Sequence, residues 1–311
     1  MKFWVGVTDN NWFSFLAREK PDEVNFWQPS ASPPFKNASV GMPFLFKLKK
    51  PYRHIGGGGY FVTYSQLPIG VAWDIFGPKN GCSSSEDLRR LIKPLASKSR
   101  NPGLIGCTVL ANPFFFERED WIAQPAEWGN SIVVGKYFDT GEPVGQRLWN
   151  ETSMRLDAMN AGLTSARWPA GKAIETTEKY GKPTLVRPRM GQSSFRVMVT
   201  EAYERRCAIT GESTLVALEA AHIVPYSGDG SHEVSNGLLL RADFHRLYDE
   251  GLVAVTPQMT IRVSPRIREA WFNGKVYYAL DGKTLSVVPT QPTLRPDPDR
   301  LDWHVKNRFQ A

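Results

Sequence analysis

The stretch that decides the fold runs from Cys207 to Leu252 and reads CAITGESTLVALEAAHIVPYSGDGSHEVSNGLLLRADFHRLYDEGL. His222 follows a short apolar run, and Asn236 comes fourteen residues later, across a loop rich in Gly, Ser and Asp. His245 lies nine residues beyond Asn236, in a helix predicted over residues 241–250. Imidazole exchanges protons near neutral pH, so two histidines and an amide at these spacings indicate a site for proton-transfer chemistry.

The order and spacing of His222, Asn236 and His245 resemble the HNH (His-Me finger) nuclease motif, a β-hairpin followed by a helix that holds one divalent metal. The resemblance implies a DNA endonuclease in which these three residues are catalytic. Hydrolysis of a phosphodiester needs a base that activates water and a cation that neutralises charge on the phosphate. The resemblance makes His222 the base and Asn236 the residue that ties the hairpin loop and orients that base.

The metal is expected on the helix. His245 and Asp249 are four residues apart, so their side chains share one helix face and can both reach a cation such as Mg²⁺ or Mn²⁺. Many members of the family carry an acidic residue or a histidine just before the base, but this chain has Ala221 there. Water and substrate phosphate would complete the metal shell, unless Glu219 or Asp243 reaches it.

No structural zinc is expected. In many relatives two CxxC pairs bind zinc, and the corresponding positions here are Cys207, Thr210, Arg241 and Phe244. One thiol cannot replace four, so we expect Phe244 and the nearby leucines to fill this space as apolar core.

Each of these residues also has a simpler interpretation. A histidine before Ile-Val-Pro, such as His222, is more often a buried core residue than a catalyst. Asp249 could belong to a solvated C-terminal turn, since Glu250 and Gly251 follow it. His232, in the loop GDGSHEVS, is expected to be exposed. The spacing of His222, Asn236 and His245 taken together favours the catalytic interpretation.

Composition agrees with a partner that is a polyanion. The chain has 311 residues, enough for about two domains, and a net charge of +7. Residues 1–165 carry 18 basic and 15 acidic groups, and residues 166–311 carry 20 and 16. Both halves are therefore slightly basic, as expected if both contact double-stranded DNA.

Cysteine content and hydropathy suggest the compartment. Cys82, Cys107 and Cys207 are odd in number and far apart, which favours free thiols in a reducing cytoplasm. The start MKFWVGVTDNNW lacks the apolar core of a signal peptide. No stretch approaches the ~20 apolar residues of a membrane span, so no membrane partner is expected. The oligomeric state is left open, and a homodimer is compatible with the sequence.

The chain divides into residues 1–165, a linker over 166–190, and the nuclease over 191–311. The first part is predicted to be rich in strands, which makes the fold class α+β. The predicted strands of the first part are 3–7, 43–48, 59–64, 67–72, 104–110 and 131–137, and its predicted helices are 84–97 and 143–160. In the nuclease part we predict a helix at 191–206, strands at 252–256, 259–263 and 276–280, and an extended tail at 289–302.

The first part resembles sensors of the PUA superfamily, of the EVE and SRA-like type. The segments that carry the resemblance are FWVGVTDNNWFSFL, FWQPS and GMPFLFKLKKPYRHIGGGGYFVTY. It implies a small curved β-barrel that holds a flipped modified base against aromatic walls, for which Trp27, Tyr60, Trp73 and Tyr137 are the candidates. Aromatic residues of a barrel are more often core residues, which is the alternative for each of them.

Basic and polar residues supply candidate DNA contacts in both parts. Lys47 and Lys49 precede the glycine run and could follow phosphates beside the base pocket; a solvated strand edge is the alternative. The nuclease part also resembles bacterial HNH proteins of restriction systems, in RPRMGQSSFRVMVTEAYERRCAITGE, LEAAHIVPY, NGLLLRADFHRLYDEG and LDWH. Its first helix would bring Arg189, Gln192 and Arg196 near the hairpin as phosphate or groove contacts, although a solvated helix face is an equal alternative.

The function that combines these observations is a restriction endonuclease that recognises modified cytosine and cuts DNA nearby. Two other functions stay open. One is a modified-DNA reader whose nuclease is silent, and the other is an HNH toxin or mobile-element nuclease that acts on unmodified DNA.

Overall fold

The computed structural model describes residues 1–29, 37–96, 103–129, 131–162, 189–225 and 231–311. The chain forms two compact units, Met1–Arg189 and Met190–Ala311, called here the N-terminal and the C-terminal unit. Except for its last two residues, the predicted linker 166–190 lies outside the described residues. Within the described ranges, no helix combines the length and the hydrophobicity that crossing a membrane requires.

In its described residues, the N-terminal unit contains one large sheet and four α-helices. Its strands are β1 (Lys2–Thr8), β2 (Glu23–Gln28), β3 (Pro43–Leu48), β4 (His54–Pro68), β5 (Leu104–Phe115), β6 (Ile122–Ala123) and β7 (Gly135–Asp139). Its helices are α1 (Asn10–Glu19), α2 (Ile69–Phe76), α3 (Ser85–Ala96) and α4 (Pro143–Asn160). The mixed α+β class is therefore confirmed.

The sheet is open in the described part of the chain. Its strand order is β2-β5-β4-β3-β1-β7, with β6 paired to β4. β1 and β3 are parallel, and the other pairs are antiparallel. Because no pairing joins β2 to β7 among these strands, the closed β-barrel that the resemblance implied is not confirmed.

Side chains of the central strands alternate between two buried faces, as the period of a β-strand requires. Trp4 of β1 lies in one apolar cluster with Phe44, Phe46 and residues of α1. Phe3 of β1 lies in the other cluster, which includes Leu148 of α4. Neighbouring aromatic residues of one strand, such as Phe3 and Trp4, therefore pack on opposite faces of the sheet.

The four-glycine run lies inside β4, between the backbones of β3 and β5. A Cβ atom at Gly57 would lie 2.2 Å from the Phe114 carbonyl oxygen, and one at Gly58 would lie 2.6 Å from the Phe44 carbonyl oxygen. The β4–β5 register also shifts at this point. Gly57 and Gly58 therefore serve close strand packing, because a side chain at either position would collide with a neighbouring backbone.

Three predicted segments are wrong. Residues 67–72 are the end of β4 followed by α2, although their apolar residues look like those of a strand. Residues 276–280 lie largely in a short helix rather than a strand. The tail 289–302 turns helical at Pro298, because the Asp297 side chain caps the backbone N–H groups of the first turn and proline is favoured at that position.

The C-terminal unit is a small α+β body around one apolar core. Its strands are β8 (Leu218–His222), β9 (Gly237–Arg241), β10 (Val253–Val255) and β11 (Ile261–Val263), and its helices are α5 (Gln192–Ala202), α6 (Ala242–Asp249), α7 (Arg266–Trp271), α8 (Lys275–Tyr278) and α9 (Pro298–Asn307). Phe195, Val199 and Tyr203, the predicted apolar face of the first helix, are all fully buried.

Helix α9 is attached to α6 through a buried histidine. The His304 ring stacks on Tyr248, with 3.7 Å between centroids and 10° between planes. Its Nε2 donates a hydrogen bond of 3.1 Å to the Tyr248 carbonyl oxygen. Burial lowers the pKa of His304 to about 4. The folded protein therefore keeps this imidazole neutral at pH values where an unfolded chain would protonate it.

We predict that His304→Phe makes stability less sensitive to acid. The pKa of His304 is about 4 when folded, below its ordinary value of 6.5. The stabilising contribution of the neutral ring is therefore complete above pH 6.5 and lost as the pH falls towards 4, at a cost of about 3 kcal/mol. Phenylalanine retains the stacking and cannot take up a proton. Thermal melts from pH 7 to 4.5 should show a smaller decline for the variant; equal declines would contradict the prediction.

Candidate active site

The C-terminal unit contains the predicted hairpin followed by a helix. Strands β8 and β9 pair antiparallel, with His222 opposite Gly237 and Glu219 opposite Leu240. Helix α6 starts directly after β9. Strand β8, the residue just before β9 and one face of α6 therefore supply the candidate side chains.

Asn236 closes the hairpin loop with its whole side-chain amide. Its Oδ1 accepts a hydrogen bond from the Val224 backbone N–H, and its Nδ2 donates to the carbonyl oxygens of Val224 and Ser231, each at 2.9 Å. The residue is fully buried. Because Val224 is two residues beyond His222, these bonds fix the chain on which the predicted base is mounted.

His222 is half-buried between an aromatic ring and a second histidine. Its ring stacks on Phe195 of α5, with 3.8 Å between centroids and 11° between planes. Its Nε2 lies 3.2 Å from His232 Nδ1. Burial, with smaller contributions from His232 and His245, lowers the pKa of His222 to about 4. The ring is therefore neutral near pH 7, which is the state that a general base needs.

His245 lies between two carboxylates. Its Nδ1 is 2.6 Å from Oε2 of Glu219 on β8, and its Nε2 is 3.3 Å from Oδ2 of Asp249 on the next turn of α6. The pKa of Asp249 is raised by partial burial, and the charge of His245 opposes this shift. A cation close to Asp249 would favour the ionised carboxylate.

The donor atoms of His245 and Asp249 fit one divalent cation. Two neighbouring ligands of Mg²⁺ at about 2.1 Å from the metal lie about 3 Å apart, close to the observed 3.3 Å between Nε2 and Oδ2. Glu219 lies at the opposite ring nitrogen, where it can accept the Nδ1 proton and fix the ring orientation. Among the described residues, no group of three or more His, Cys, Asp or Glu side chains converges on a point, so water and phosphate would complete the shell.

Asp243 is turned to another partner. It forms two hydrogen bonds with the Arg241 guanidinium, at 2.7 and 2.8 Å, and this guanidinium is the main reason that the Asp243 pKa is lowered. The sequence left Glu219 and Asp243 open as additional groups of the metal site. Glu219 reaches His245, whereas Asp243 is paired with Arg241.

The positions that hold structural zinc in relatives have other contacts here. Cys207 Sγ accepts hydrogen bonds from the backbone N–H groups of Thr210, at 3.4 Å, and Arg241, at 3.3 Å. Phe244 is fully buried in the apolar core, as expected. Of these side chains only the thiol has a donor atom that zinc favours. The absence of a structural zinc stays a prediction.

The prediction that His232 is an exposed loop residue is wrong. The ring is partly buried and contacts His222, ten residues away along the chain. Spacing alone does not indicate this contact, because the intervening loop length does not fix where the two rings meet. In the structure, the position of His232 is set by its two neighbours, Ser231 and Glu233, whose carbonyl groups bond to Asn236.

The predicted DNA contacts of the C-terminal part lie around the start of α5. Gln192 and Arg189 are exposed, and Arg196 is partly buried. Arg196 directly follows Phe195, the residue that stacks on His222. The location is compatible with DNA contact beside the catalytic hairpin, and the contact itself stays a prediction.

The N-terminal unit contains a cavity of about 520 Å³. Its aromatic lining is Trp12, Phe26 and Trp27, and its polar lining is Asp9, Asn11, Gln28 and Lys49. The structure therefore brings together Trp27 and Lys49, two of the predicted sensor residues. Trp27 Nε1 donates a 2.9 Å hydrogen bond to the Asn80 carbonyl oxygen, which fixes the plane of the indole.

The other three aromatic candidates are not among the described residues that line this cavity. Tyr60 packs on the opposite sheet face from Trp27, with its ring centroid 6.3 Å from that of Phe114. Trp73 lies on α2, and Tyr137 packs edge-on against Trp4 at 4.9 Å. One wall made from all four candidate rings is therefore not formed.

Lys47 is not an exposed phosphate contact, which corrects the prediction for this residue. Its side chain is only 7% exposed, and its Nζ lies 5.0 Å from the centroid of the Trp128 ring. Lys47 lies on β3, which has β4 and β1 as its neighbours in the sheet, and burial lowers its pKa. Lys49, one residue past the end of β3, is about half exposed and pairs with Asp9 at 3.1 Å.

Comparison with known proteins agrees with the site. Residues 207–256 match the family described as HNH endonuclease. This match supports a nuclease, and the hairpin, the helix and His222, Asn236 and His245 all lie within it. A search among curated proteins gave no match.

Two kinds of solved structure are among those similar to the chain. The ASCH protein from Zymomonas mobilis has 10% identity and a TM-score of 0.34, over 47% of this chain and 94% of that one. A structure described as the modification-dependent TagI restriction endonuclease has 14% identity and a TM-score of 0.28, over 93% of this chain and 76% of that one. Because these scores are low, the support for nuclease chemistry comes from the HNH match and the geometry of the hairpin and α6.

We predict that Asp249→Asn and Glu219→Gln both weaken the binding of Mn²⁺ to the full chain. Asparagine removes the charge beside His245 Nε2, and glutamine weakens the bond that orients the ring. Loss of such an orienting bond typically costs 10–100-fold in metal affinity, and we expect about that increase in Kd for Glu219→Gln.

Calorimetric titration with Mn²⁺ measures this directly. Glu250→Gln is the matched control, because it removes the same charge one residue from Asp249, whereas the carboxylates that contact His245 among the described residues are those of Glu219 and Asp249. We expect it to bind Mn²⁺ like the unchanged protein. If Asp249→Asn also binds Mn²⁺ normally, the metal is not held by α6 at this position.

Proposed function

We propose that the protein is a modification-dependent restriction endonuclease that recognises modified cytosine in double-stranded DNA and hydrolyses the backbone nearby. Residues 1–165 would sense the base, and residues 191–311 would cut. The observation that carries the proposal is the neutral imidazole of His222, held on a hairpin whose adjoining helix bears the His245–Asp249 pair, inside the HNH match.

The side chains divide the hydrolytic step among them. His222 accepts a proton from water as the water oxygen attacks phosphorus, and the bond from phosphorus to the departing oxygen breaks. Asn236 keeps the backbone beyond His222 in place, and Glu219 orients His245. Mg²⁺ or Mn²⁺, when bound by His245 and Asp249, would neutralise charge on the phosphate and on the departing oxygen.

We predict that His222→Ala abolishes cutting of plasmid DNA in the presence of Mg²⁺ or Mn²⁺. Loss of a general base costs about 10²–10⁴-fold in rate. DNA affinity and melting temperature should change little, because His222 is a half-buried residue at a strand end. His54→Ala, in the N-terminal unit, is the control and should cut normally. Normal turnover by His222→Ala would remove this residue from the mechanism.

The cavity of the N-terminal unit supports the sensor part of the proposal. A flipped base needs flat apolar walls and a few polar groups for its Watson–Crick edge, and the cavity offers Trp27 and Phe26 beside Asn11, Gln28 and Lys49. Its volume of about 520 Å³ is within the range of small-molecule sites. Lys49 at the rim could also attract a phosphate.

We predict that Trp27→Ala removes most of the discrimination between modified and unmodified DNA. Stacking of a base on an aromatic side chain is worth about 1–3 kcal/mol, or roughly 5- to 150-fold in affinity. The control is Trp73→Ala, which removes the same side chain from α2, outside the described lining of the cavity.

The measurement is binding and cutting by the full chain, on duplexes that carry cytosine, 5-methylcytosine, 5-hydroxymethylcytosine or a glucosylated form, and on phosphorothioate DNA. Equal cutting of every substrate would favour a nuclease that acts on unmodified DNA. Selective binding without cutting at any metal concentration would favour a reader.

The three cysteines are buried and outside disulfides, which supports the proposal that the protein works in the reducing cytoplasm.

A further inference from the structure

His222 and His232 share a single hydrogen bond inside a small cluster of rings. The distance between His222 Nε2 and His232 Nδ1 is 3.2 Å. The ring centroid of His232 lies 5.3 Å from that of His222 and 5.9 Å from that of Phe195. Stacking on Phe195 therefore fixes the plane of His222, and the nitrogen–nitrogen contact fixes its rotation within that plane.

Only one proton can lie between the two nitrogens, and its position decides whether His222 can act as a base. A neutral imidazole carries its proton on one nitrogen and a lone pair on the other. If His222 donates from Nε2, its Nδ1 keeps the lone pair and can accept a proton from water. If His232 donates from Nδ1, His222 has its proton on Nδ1 and has no lone pair left for water.

We propose that His232 is a positioning residue that accepts the Nε2 proton of His222 and so leaves Nδ1 of His222 as the atom that takes the proton from water. The proposal rests on the proposed nuclease function. It assigns a role to a residue outside the His–Asn–His pattern, and it names the tautomer in which the base operates.

The fold fixes His232 from both sides through Asn236. The carbonyl oxygen of Ser231, just before His232, accepts a 2.9 Å bond from Asn236 Nδ2, and that of Glu233, just after it, accepts a 3.0 Å bond from the Asn236 backbone N–H. The Glu233 carboxylate is in turn paired with Arg300 of α9 at 2.8 Å. The same amide that holds the chain beyond His222 therefore also sets the backbone of its partner.

Charged and titratable groups around the pair give the proposal a pH signature. They are His245 of α6, which acts on the charge of His222, and Glu233 with its partner Arg300. A protonated His232 could only donate from Nδ1, which would force the unproductive tautomer on His222. Protonation of either ring should therefore slow cutting, because protonated His222 has no lone pair for water and protonated His232 cannot accept the Nε2 proton.

The test compares His232→Ala, His232→Asn and His232→Gln in the full chain. The amide of asparagine lies near the position of the imidazole Nδ1, so its oxygen can accept the same proton without titrating. The amide of glutamine lies nearer the position of Nε2. We expect His232→Ala to lower kcat at least about tenfold with little change in KM for DNA. Asparagine should restore most of the rate, and glutamine should not restore it.

A second measurement reads the tautomer without cutting. In ¹⁵N-histidine spectra of the metal-free chain, the ring nitrogens of His222 should show a proton on Nε2 and none on Nδ1, and His232→Ala should shift this equilibrium towards Nδ1. A Nδ1–H tautomer of His222 in the unchanged protein would overturn the proposal. So would a normal rate for His232→Ala, or equal loss for alanine and asparagine with unchanged melting temperatures. A chain that cuts no DNA would instead contradict the nuclease function, and the spectra would still decide the tautomer.

Discussion

The candidate active site depends on the buried amide of Asn236. A buried amide without partners is strongly unfavourable, so its three side-chain hydrogen bonds are a requirement of folding as well as of function. They connect the chain after His222 with the chain around His232, on the two sides of the hairpin loop. Because one side chain sets both backbones, the two imidazoles meet at a distance that neither strand would fix alone. An asparagine in this position thus defines the geometry at both described ends of the hairpin loop.

The second constraint is the placement of two carboxylates around His245. Glu219 comes from β8 and Asp249 from α6, so the contacts at this ring tie the strand to the helix. A carboxylate at Nδ1 favours a proton there, which leaves the lone pair of Nε2 directed towards Asp249. Ala221 cannot supply the strand-borne metal ligand that many relatives have at this position, and the acidic residue of the strand is Glu219 instead. The strand contributes its acidic residue two positions earlier, as an orienting group.

Sequence could predict the parts of this structure that depend on local pattern. The hairpin, α6 and the apolar face of α5 follow from short-range periodicity and from the spacing of His222, Asn236 and His245. The contacts of Glu219 and His232 could not be predicted, because they depend on which face each strand residue takes and on the path of a loop. The α2 segment and the helix at Pro298 were mistaken for extended chain, since apolar residues and prolines are common to both. Among the sensor residues, aromatic content could not distinguish Trp27, at a cavity, from Tyr60, on the other face of the sheet.

The low pKa of His222 has two opposite effects on its role as a general base. Stacking on Phe195 and burial keep the imidazole neutral, which makes the lone pair available over a wide pH range. The same burial makes the ring a weaker base, so proton transfer from water needs an environment that stabilises the product imidazolium. As the reaction proceeds, His222 becomes a cation that donates from Nε2, and a neutral His232 is placed to accept that stronger hydrogen bond. A neutral acceptor at this position therefore stabilises the transition state more than the resting enzyme, which is the condition for a rate effect. On this argument the pair of histidines is more than a structural contact, since its stabilising effect is largest when charge develops on the base.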